Sequence, residues 1–493
     1  MINPIRTANA VVPTSPTSTV AMVYSVTISE VGEFSSYVGA DVAFCGYNPS
    51  LAPPVASEGA DATGTTFTYG VPSDHCLYLF GEAQVTVVAL GYLSPDGPNS
   101  MRLPPTPNLI SAPRPAPGLR PLTPKRVLDT RSGLGGGKLA AHGKLVLRNL
   151  PIGSKTTAVV LNVTATEPTG PGWITVWPCD VDMPIVSNLN YDPNETIPNL
   201  VTVAIGRSQT VCLYSESSTH LIADIMATYE TSGGVGVVPL TPQRILDTRD
   251  GTGAPKAKLR AGGVLTVQVA GRGGAPASGV RATTMNVTAV GGAGAGYLTV
   301  WACDRPQPTA SNVNFVASTA VPNLVTTQVS AAGTICVFTN VDVDVIGDIA
   351  AVYVPGQPLG YVELAPRRIL DTRTGIGAPV AQVLAGGVLK LQVAAEVVST
   401  NVVQPTAATM NVTATGARGT GYITVWPCDR PMPVVSNLNV VAGDTVANLV
   451  SVELAVDGSI CILTTTTTDL VADIAGYSTR QTVPGSVTFI SDY

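Results

Sequence analysis

The sequence predicts an all-β protein: a tandem array of four disulfide-containing modules, each a β-sandwich or a barrel, the first one degenerate. Three observations predict it. The string Pro-x-Arg-[Val/Ile]-Leu-Asp-Thr-Arg opens three stretches of the chain, at Pro124 to Arg131, Pro242 to Arg249 and Pro366 to Arg373. The interval is 118 and then 124 residues (242 − 124, 366 − 242), the size of a whole domain and not of a solenoid unit. Charged residues make up 12% and aromatics 5% of the 493 residues, with Gly 49 and Pro 40, a profile of short strands joined by Gly/Pro turns with little helix.

In chain order, residues 1–93 read as the divergent N-terminal β module, whose Gly91-Tyr92 ending aligns with Gly476-Tyr477 at the end of the last repeat. Residues 94–120 are dense in proline and read as a semi-rigid spacer. The β repeats follow at 121–232, 239–355 and 363–480. Their short joints predict end-to-end packing into a stiff rod, with 481–493 as a tail that pairs with a neighbour. Within the last repeat, Leu389 to Val393, Ala408 to Ala414, Tyr422 to Trp426, Asn448 to Leu454, Ser459 to Leu463 and Leu470 to Ala475 are β-branched-rich runs bounded by turn formers, and seven to nine strands per module are expected. Several runs are apolar on both faces. That pattern suits inner strands that also contact a neighbour.

All eight cysteines fall two per module. The pair is 33 residues apart in each full repeat (212 − 179, 336 − 303, 461 − 428) and 31 apart in the first module (76 − 45). A repeat that closes on itself gives the pairs Cys45–Cys76, Cys179–Cys212, Cys303–Cys336 and Cys428–Cys461. Each would stabilise its module by roughly 3 to 4 kcal/mol in the loop-entropy model. Two cysteines per module with no repeated histidine fall short of a tetrahedral zinc set, and disulfides place the mature protein in an oxidising environment.

The repeated polar residues are candidates for structure before chemistry. Asp129, Asp247 and Asp371, with Arg131, Arg249 and Arg373, recur near the start of each repeat, and Asp224, Asp348 and Asp473 recur near its end. The first module lacks Leu-Asp-Thr-Arg and has Val88 at the late aspartate position. Joint loss predicts partnership, a latch in which Arg131, Arg249 or Arg373 bonds the late carboxylate and fastens the module's ends together. A calcium site at Asp180, Asp304 or Asp429 matches no known loop spacing. No Ser/His/Asp set, phosphate-cradling loop or Cys-x-x-Cys occurs, and the three histidines (75, 142, 220) fall at unrelated positions. No catalytic residue, cofactor or metal is expected. Asn162, Asn286 and Asn411, in Asn-Val-Thr sequons, read as strand residues whose amides satisfy backbone groups. Trp177, Trp301 and Trp426 sit two residues before a cysteine, and so on its side of a strand. They are candidates for packing on the disulfide or for an exposed ligand-stacking surface.

The net charge of −6 gives no basic footprint for nucleic acid or anionic membrane, and no run is long enough to span a bilayer as a helix. Met1 to Ala10 carries no apolar segment of a secretory leader. Oxidised modules without such a leader are expected either to have lost it or to leave the cell by another route such as lysis.

The spaced motifs Pro-x-Arg-[Val/Ile]-Leu-Asp-Thr-Arg, Asn-Val-Thr-Ala, Thr-Val-Trp-Pro-Cys, Ser-Asn-Leu-Asn and Asp-Ile-Ala-Gly-Tyr, over residues 121–480, resemble the repeated β-domain of actinobacterial secreted and surface proteins, and of virion proteins of phages infecting such hosts. The resemblance implies an accessory module without a defined reaction. Two function classes follow. One is a non-enzymatic structural protein of an extracellular assembly, a phage virion component such as a capsid decoration, fibre or tail protein. The other is a secreted cell-surface protein for adhesion or cell-wall polysaccharide binding. The expected partners are other structural proteins of the particle or surface layer, further copies of the chain, and a cell-surface glycan, with no nucleic acid and no membrane. The expected location is the virion or the extracellular surface.

Overall fold

The structure, a computed structural model, describes residues 116–206, 208–397 and 405–479, together with the backbone of eight strands between Ala8 and Arg102. The Cys45–Cys76 pair and the tail at 481–493 lie outside the described residues. Among those described, one helical turn, Ala394–Val397, is the exception to strand, turn and loop.

Each full repeat forms eight strands in two four-stranded antiparallel sheets. In the first repeat the larger sheet has the order Thr196–Ala204, Thr156–Thr166, His220–Glu230, Gly118–Asp129. The smaller has the order Gly143–Leu147, Val211–Ser215, Gly172–Pro178, Leu189–Tyr191. The second and third repeats copy both orders strand for strand. First strands begin at Gly118, Gly236 and Gly360, so the ends of the Pro-rich spacer and of both joints belong to strands. Pro121, Pro239 and Glu363 are accommodated there beside register shifts in the ladder to the last strand.

The period-2 geometry of the strands explains why so many runs are apolar on both faces. Along Thr156–Thr166, Val159, Leu161 and Val163 join Ile174, Val176 and Leu213 of the smaller sheet in the repeat's own core. The alternate residues Ala158 and Val160 face the other way, into a second apolar cluster shared by all three repeats. That cluster takes Leu200 from the first repeat, Leu324 from the second and Leu449 from the third. They lie on the strands Thr196–Ala204, Ala320–Gln328 and Val446–Glu453, each of which contacts the other two.

The three repeats therefore do not form the expected rod of sandwiches packed end to end. They close into a ring of six four-stranded sheets around a common axis. A rod would leave the second apolar face of these strands in water, and burial at roughly 25 cal/mol per Å² favours the closed arrangement. Short joints suffice because the segment entering each repeat lies beside the start of its neighbour. Leu119 pairs with Val235, the Val237 amide donates to the Leu359 carbonyl, and the Tyr361 amide donates to the Pro117 carbonyl at 2.9 Å. Residue 117, ahead of the first repeat, thus plays the part that the two joints play elsewhere. Gly118, Gly236 and Gly360 sit at this crossing, where a Cβ would overlap Gly234, Gln357 and Ala116 respectively.

The symmetry of the shared core is broken at its tyrosines. Tyr229 and Tyr353 on the last strands pair across the ladder with Leu119 and Val237 on the first. In the third repeat the order is reversed, with Tyr361 on the first strand opposite Ser478. The Tyr361 ring stacks on Tyr229 at 4.3 Å. Gly476 stands where the other repeats have Ala227 and Ala351, and a Cβ there would overlap the Tyr361 ring.

The strands of residues 8–102 belong to a separate compact unit. Its two sheets, in the order Ala8–Val11, His75–Phe80, Val38–Phe44, Ala56–Ala60 and Thr66–Pro72, Ala21–Val31, Ala83–Leu93, Met101–Arg102, follow the same plan. One strand differs. The edge that the Leu-Asp-Thr-Arg strand fills in a full repeat is held by Met101–Arg102, which comes after the module and not before it.

Candidate functional site: the seams between repeats

The polar motifs that recur along the sequence converge on the three seams of the ring. Asn162, Asn286 and Asn411 lie directly across the ladder from Asp224, Asp348 and Asp473. Each asparagine Nδ2 donates at 2.6 Å to a serine carbonyl of the next repeat: Asn162 to Ser311, Asn286 to Ser436, Asn411 to Ser187. Each Oδ1 accepts from an Asn-Leu-Val asparagine of that repeat, Asn323, Asn448 and Asn199, at 2.8 to 2.9 Å. The Oδ1 atoms of Asn323, Asn448 and Asn199 accept in turn from the amides of Leu200, Leu324 and Leu449. The pattern runs first to second, second to third and third to first, so it closes. All six side chains are 3% exposed or less.

The Ser-Asn-x-Asn segment is held for this purpose from its own repeat. The Oδ1 atoms of Asn188, Asn312 and Asn437 accept from the amides of Val176, Val300 and Val425 at 2.7 Å. Their carbonyls accept from Asn199, Asn323 and Asn448. The sequon asparagines, read as satisfying backbone groups, do so across a seam, buried from any glycosylating enzyme.

The latch exists with a different arginine. Asp224, Asp348 and Asp473 are bonded by Arg126, Arg244 and Arg368, Nε to Oδ1 at 2.9 Å in each repeat, and not by Arg131, Arg249 and Arg373. The reason lies in the ladder. Arg126, Arg244 and Arg368 are the direct cross-strand partners of those aspartates, whereas the later arginines lie in the turn beyond the strand. There Arg131, Arg249 and Arg373 fold back two residues and chelate Asp129, Asp247 and Asp371, with Nη2 to Oδ2 at 2.7 to 2.8 Å. Arg126, Arg244 and Arg368 also reach these carboxylates through Nη1. Each repeat thus holds a chain of alternating charge, running from a half-exposed guanidinium at the surface to a buried carboxylate at the seam. At one seam the Ser187 amide of the first repeat donates to Oδ2 of Asp473.

The two carboxylate sets are shifted in opposite directions. Burial raises Asp224, Asp348 and Asp473, against the opposing pull of their arginines. Hydrogen bonds from Arg131 bring Asp129 down to about 2, and those from Arg373 lower Asp371. At Asp247 burial pushes upward but the bonds from Arg249 outweigh it.

The disulfides Cys179–Cys212, Cys303–Cys336 and Cys428–Cys461 form within the repeats, with Cα atoms 5.0 Å apart. Trp177, Trp301 and Trp426 lie across the ladder from Cys212, Cys336 and Cys461. All three are buried, which corrects their reading as ligand-stacking surfaces. Each indole Nε1 donates to a carbonyl four residues on, at Val181, Arg305 and Arg430, so the following loop covers it. Asp304 and Asp429 accept from the amides of Ala331 and Val456. Among the described residues no three His, Cys, Asp or Glu side chains gather as a metal site requires.

No family model and no curated protein matches the chain. Among solved structures, one described as "Life in the extremes: atomic structure of Sulfolobus Turreted Icosahedral Virus" aligns over 69% of this chain and 84% of its own at 7% identity and a TM-score of 0.16. Another, "The Triple Jelly Roll Fold and Turret Assembly in an Archaeal Virus", aligns over 73% and 90% at 7% identity and 0.15. Scores this low carry no argument about function.

Two predictions follow from the charge chain. Arg368→Ala and Asp473→Asn should each destabilise the ring by about 2 to 4 kcal/mol, and the double variant should cost well under their sum, because either single change strands a buried charge. Arg373→Ala, at a half-exposed site, should cost about 1 kcal/mol or less. Chemical denaturation of the four variants measures this; additivity of Arg368 and Asp473 within ~0.5 kcal/mol would contradict the contact.

The second concerns acid. Asp129 has a lower pKa folded than unfolded, so the unfolded chain takes up the proton first on acidification. Its contribution is complete above the unfolded value of about 4 and is lost as pH falls through the folded value. Asp129→Asn should therefore lower the melting temperature at neutral pH and flatten its fall between pH 4 and 2. Parallel pH profiles for variant and parent would contradict the assignment.

Proposed function

We propose that the chain is a non-enzymatic structural component of an extracellular assembly, a phage virion component of the capsid-decoration, fibre or tail class. The observation that carries this reading is the use to which the recurring polar residues are put. Asparagines, aspartates and arginines that would be the raw material of an active site are instead bonded to one another, or to backbone, across or beside the seams. What they produce is a rigid body with three similar faces about an axis, stapled by disulfides suited to an oxidising exterior. Such a body suits binding and bridging.

The N-terminal module has the same strand plan but lacks the Leu-Asp-Thr-Arg strand, and with it the seam machinery. On this reading its surface has been reshaped to attach the ring to the assembly. Deleting residues 1–93 should abolish incorporation into particles, assayed by mass spectrometry of purified virions, while residues 116–480 remain soluble and folded. Normal incorporation of the truncated chain, or absence of the intact chain from purified particles, would count against this role.

A further inference from the structure

The near-threefold framework allows equivalent surface positions to be compared within one chain. On the outer face of the smaller sheet the first repeat differs from the others in its polar residues, while its tilted aromatic pair Trp173–Tyr214 has a counterpart in Tyr297–Phe338 of the second repeat, 5.9 Å apart at 44°. Lys144 and Tyr214 are ladder partners there, and the same positions hold Val264 with Phe338 in the second repeat and Val388 with Leu463 in the third. Glu216 has Asn340 and Thr465 as counterparts. His142, with φ of +56°, occupies a left-handed position taken by Gly262 and Gly386 in the other repeats. Glycine adopts that conformation freely and a side chain does so at a cost. The first repeat makes the same exchange at Glu167, opposite Gly291 and Gly416, and what sets His142 apart is the cluster it joins.

That histidine is tied into a cluster. The Tyr214 hydroxyl donates to Glu216 Oε2 at 2.7 Å, and the His142 Nδ1 lies 3.0 Å from the same hydroxyl. The bond to Glu216 pushes the Tyr214 pKa up to about 12, and with its proton committed there, Nδ1–H of His142 is the donor to the phenol oxygen. Trp173 and Tyr214 rings lie 6.3 Å apart at 45°, both half-buried, while His142 and Lys144 are exposed.

We propose that this face of the first repeat is a carbohydrate-binding site, in which Trp173 and Tyr214 stack on a pyranose ring while His142, Glu216 and Lys144 hydrogen-bond its hydroxyls. Two tilted aromatic faces offer surface to the C–H face of a sugar. Donors and acceptors of both charges at the rim suit a neutral polyhydroxylated ligand. Asp182 in the wall of the adjoining cleft disfavours a polyanion, and nucleic acid would need a basic surplus. This goes beyond the structural role proposed above and rests on different residues.

The test applies the purified full-length chain to an array of immobilised microbial oligosaccharides, neutral and acidic. Binding to neutral pyranose-containing oligosaccharides is expected, weakened roughly tenfold or more by Trp173→Ala and by His142→Gly. His142→Gly restores the residue of the other repeats, so it should leave the melting temperature unchanged or raised. Tyr422→Ala, the third-repeat counterpart of Trp173, should leave binding intact. No binding to any neutral glycan, or binding that His142→Gly and Trp173→Ala leave unaltered, would overturn the site. Because the isolated chain is used, either result is independent of whether it is found in a particle.

Discussion

The ring depends on six buried asparagine amides that must be paired. An amide shut away from water without partners costs about 1 to 3 kcal/mol. Asn162, Asn286 and Asn411 find theirs only when a neighbouring repeat presents its Ser-Asn segment in one register, while Asn199, Asn323 and Asn448 have one partner in their own repeat and complete their bonding across the seam. Apolar strands such as Ala320–Gln328 can slide or rotate against one another at little cost. The asparagines remove that freedom, because a slip would leave donors and carbonyls unmatched at a seam. The shared core of Leu200, Leu324 and Leu449 supplies the drive to associate, and the amides decide how.

The charge chain ties that internal requirement to the outer turn of each repeat. Asp224 is too buried to be stable as a lone carboxylate; Arg126 answers it, Asp129 answers Arg126, and Arg131 completes the series where solvent can share the charge. Each step passes the desolvation problem one position outward, which is why the motif needs two arginines and an aspartate in a fixed order. The cyclic arrangement also makes the third repeat more than a further unit. Its Asn411 and Leu449 close the circuit onto Ser187 and Asn199, satisfying groups of the first repeat that two repeats alone would leave open.

Much of the fold was legible in the sequence. The cysteine spacing, the strand runs of the last repeat and the repeat period all reflect local chemistry that a linear reading detects. The latch was half legible: joint loss in the first module pointed to Asp224 and its counterparts, but Arg126 and Arg131 lie in the same motif, and only the ladder shows which one stands opposite the carboxylate. The tryptophans left two readings open, since a residue facing a disulfide can be covered or bare depending on the loop that follows, and burial rules out the bare one. Ring closure left one signal, strands apolar on both faces. That signal says a neighbour exists without saying which, and short joints fit a rod and a ring equally. His142 was visible only as a histidine at an unrelated position. Its meaning depends on knowing that Gly262 and Gly386 occupy the same left-handed turn.

Cleavage of the joints tests the central claim most directly. Protease sites introduced beside Gly233 and Gly356, in residues 116–480 with the disulfides intact, would divide the body into three polypeptides joined by no covalent bond. If the buried seams hold the ring, native mass spectrometry and analytical ultracentrifugation of the cleaved protein will give one species with the mass and sedimentation of the uncleaved body. Separation into free single repeats under the same conditions would contradict the account.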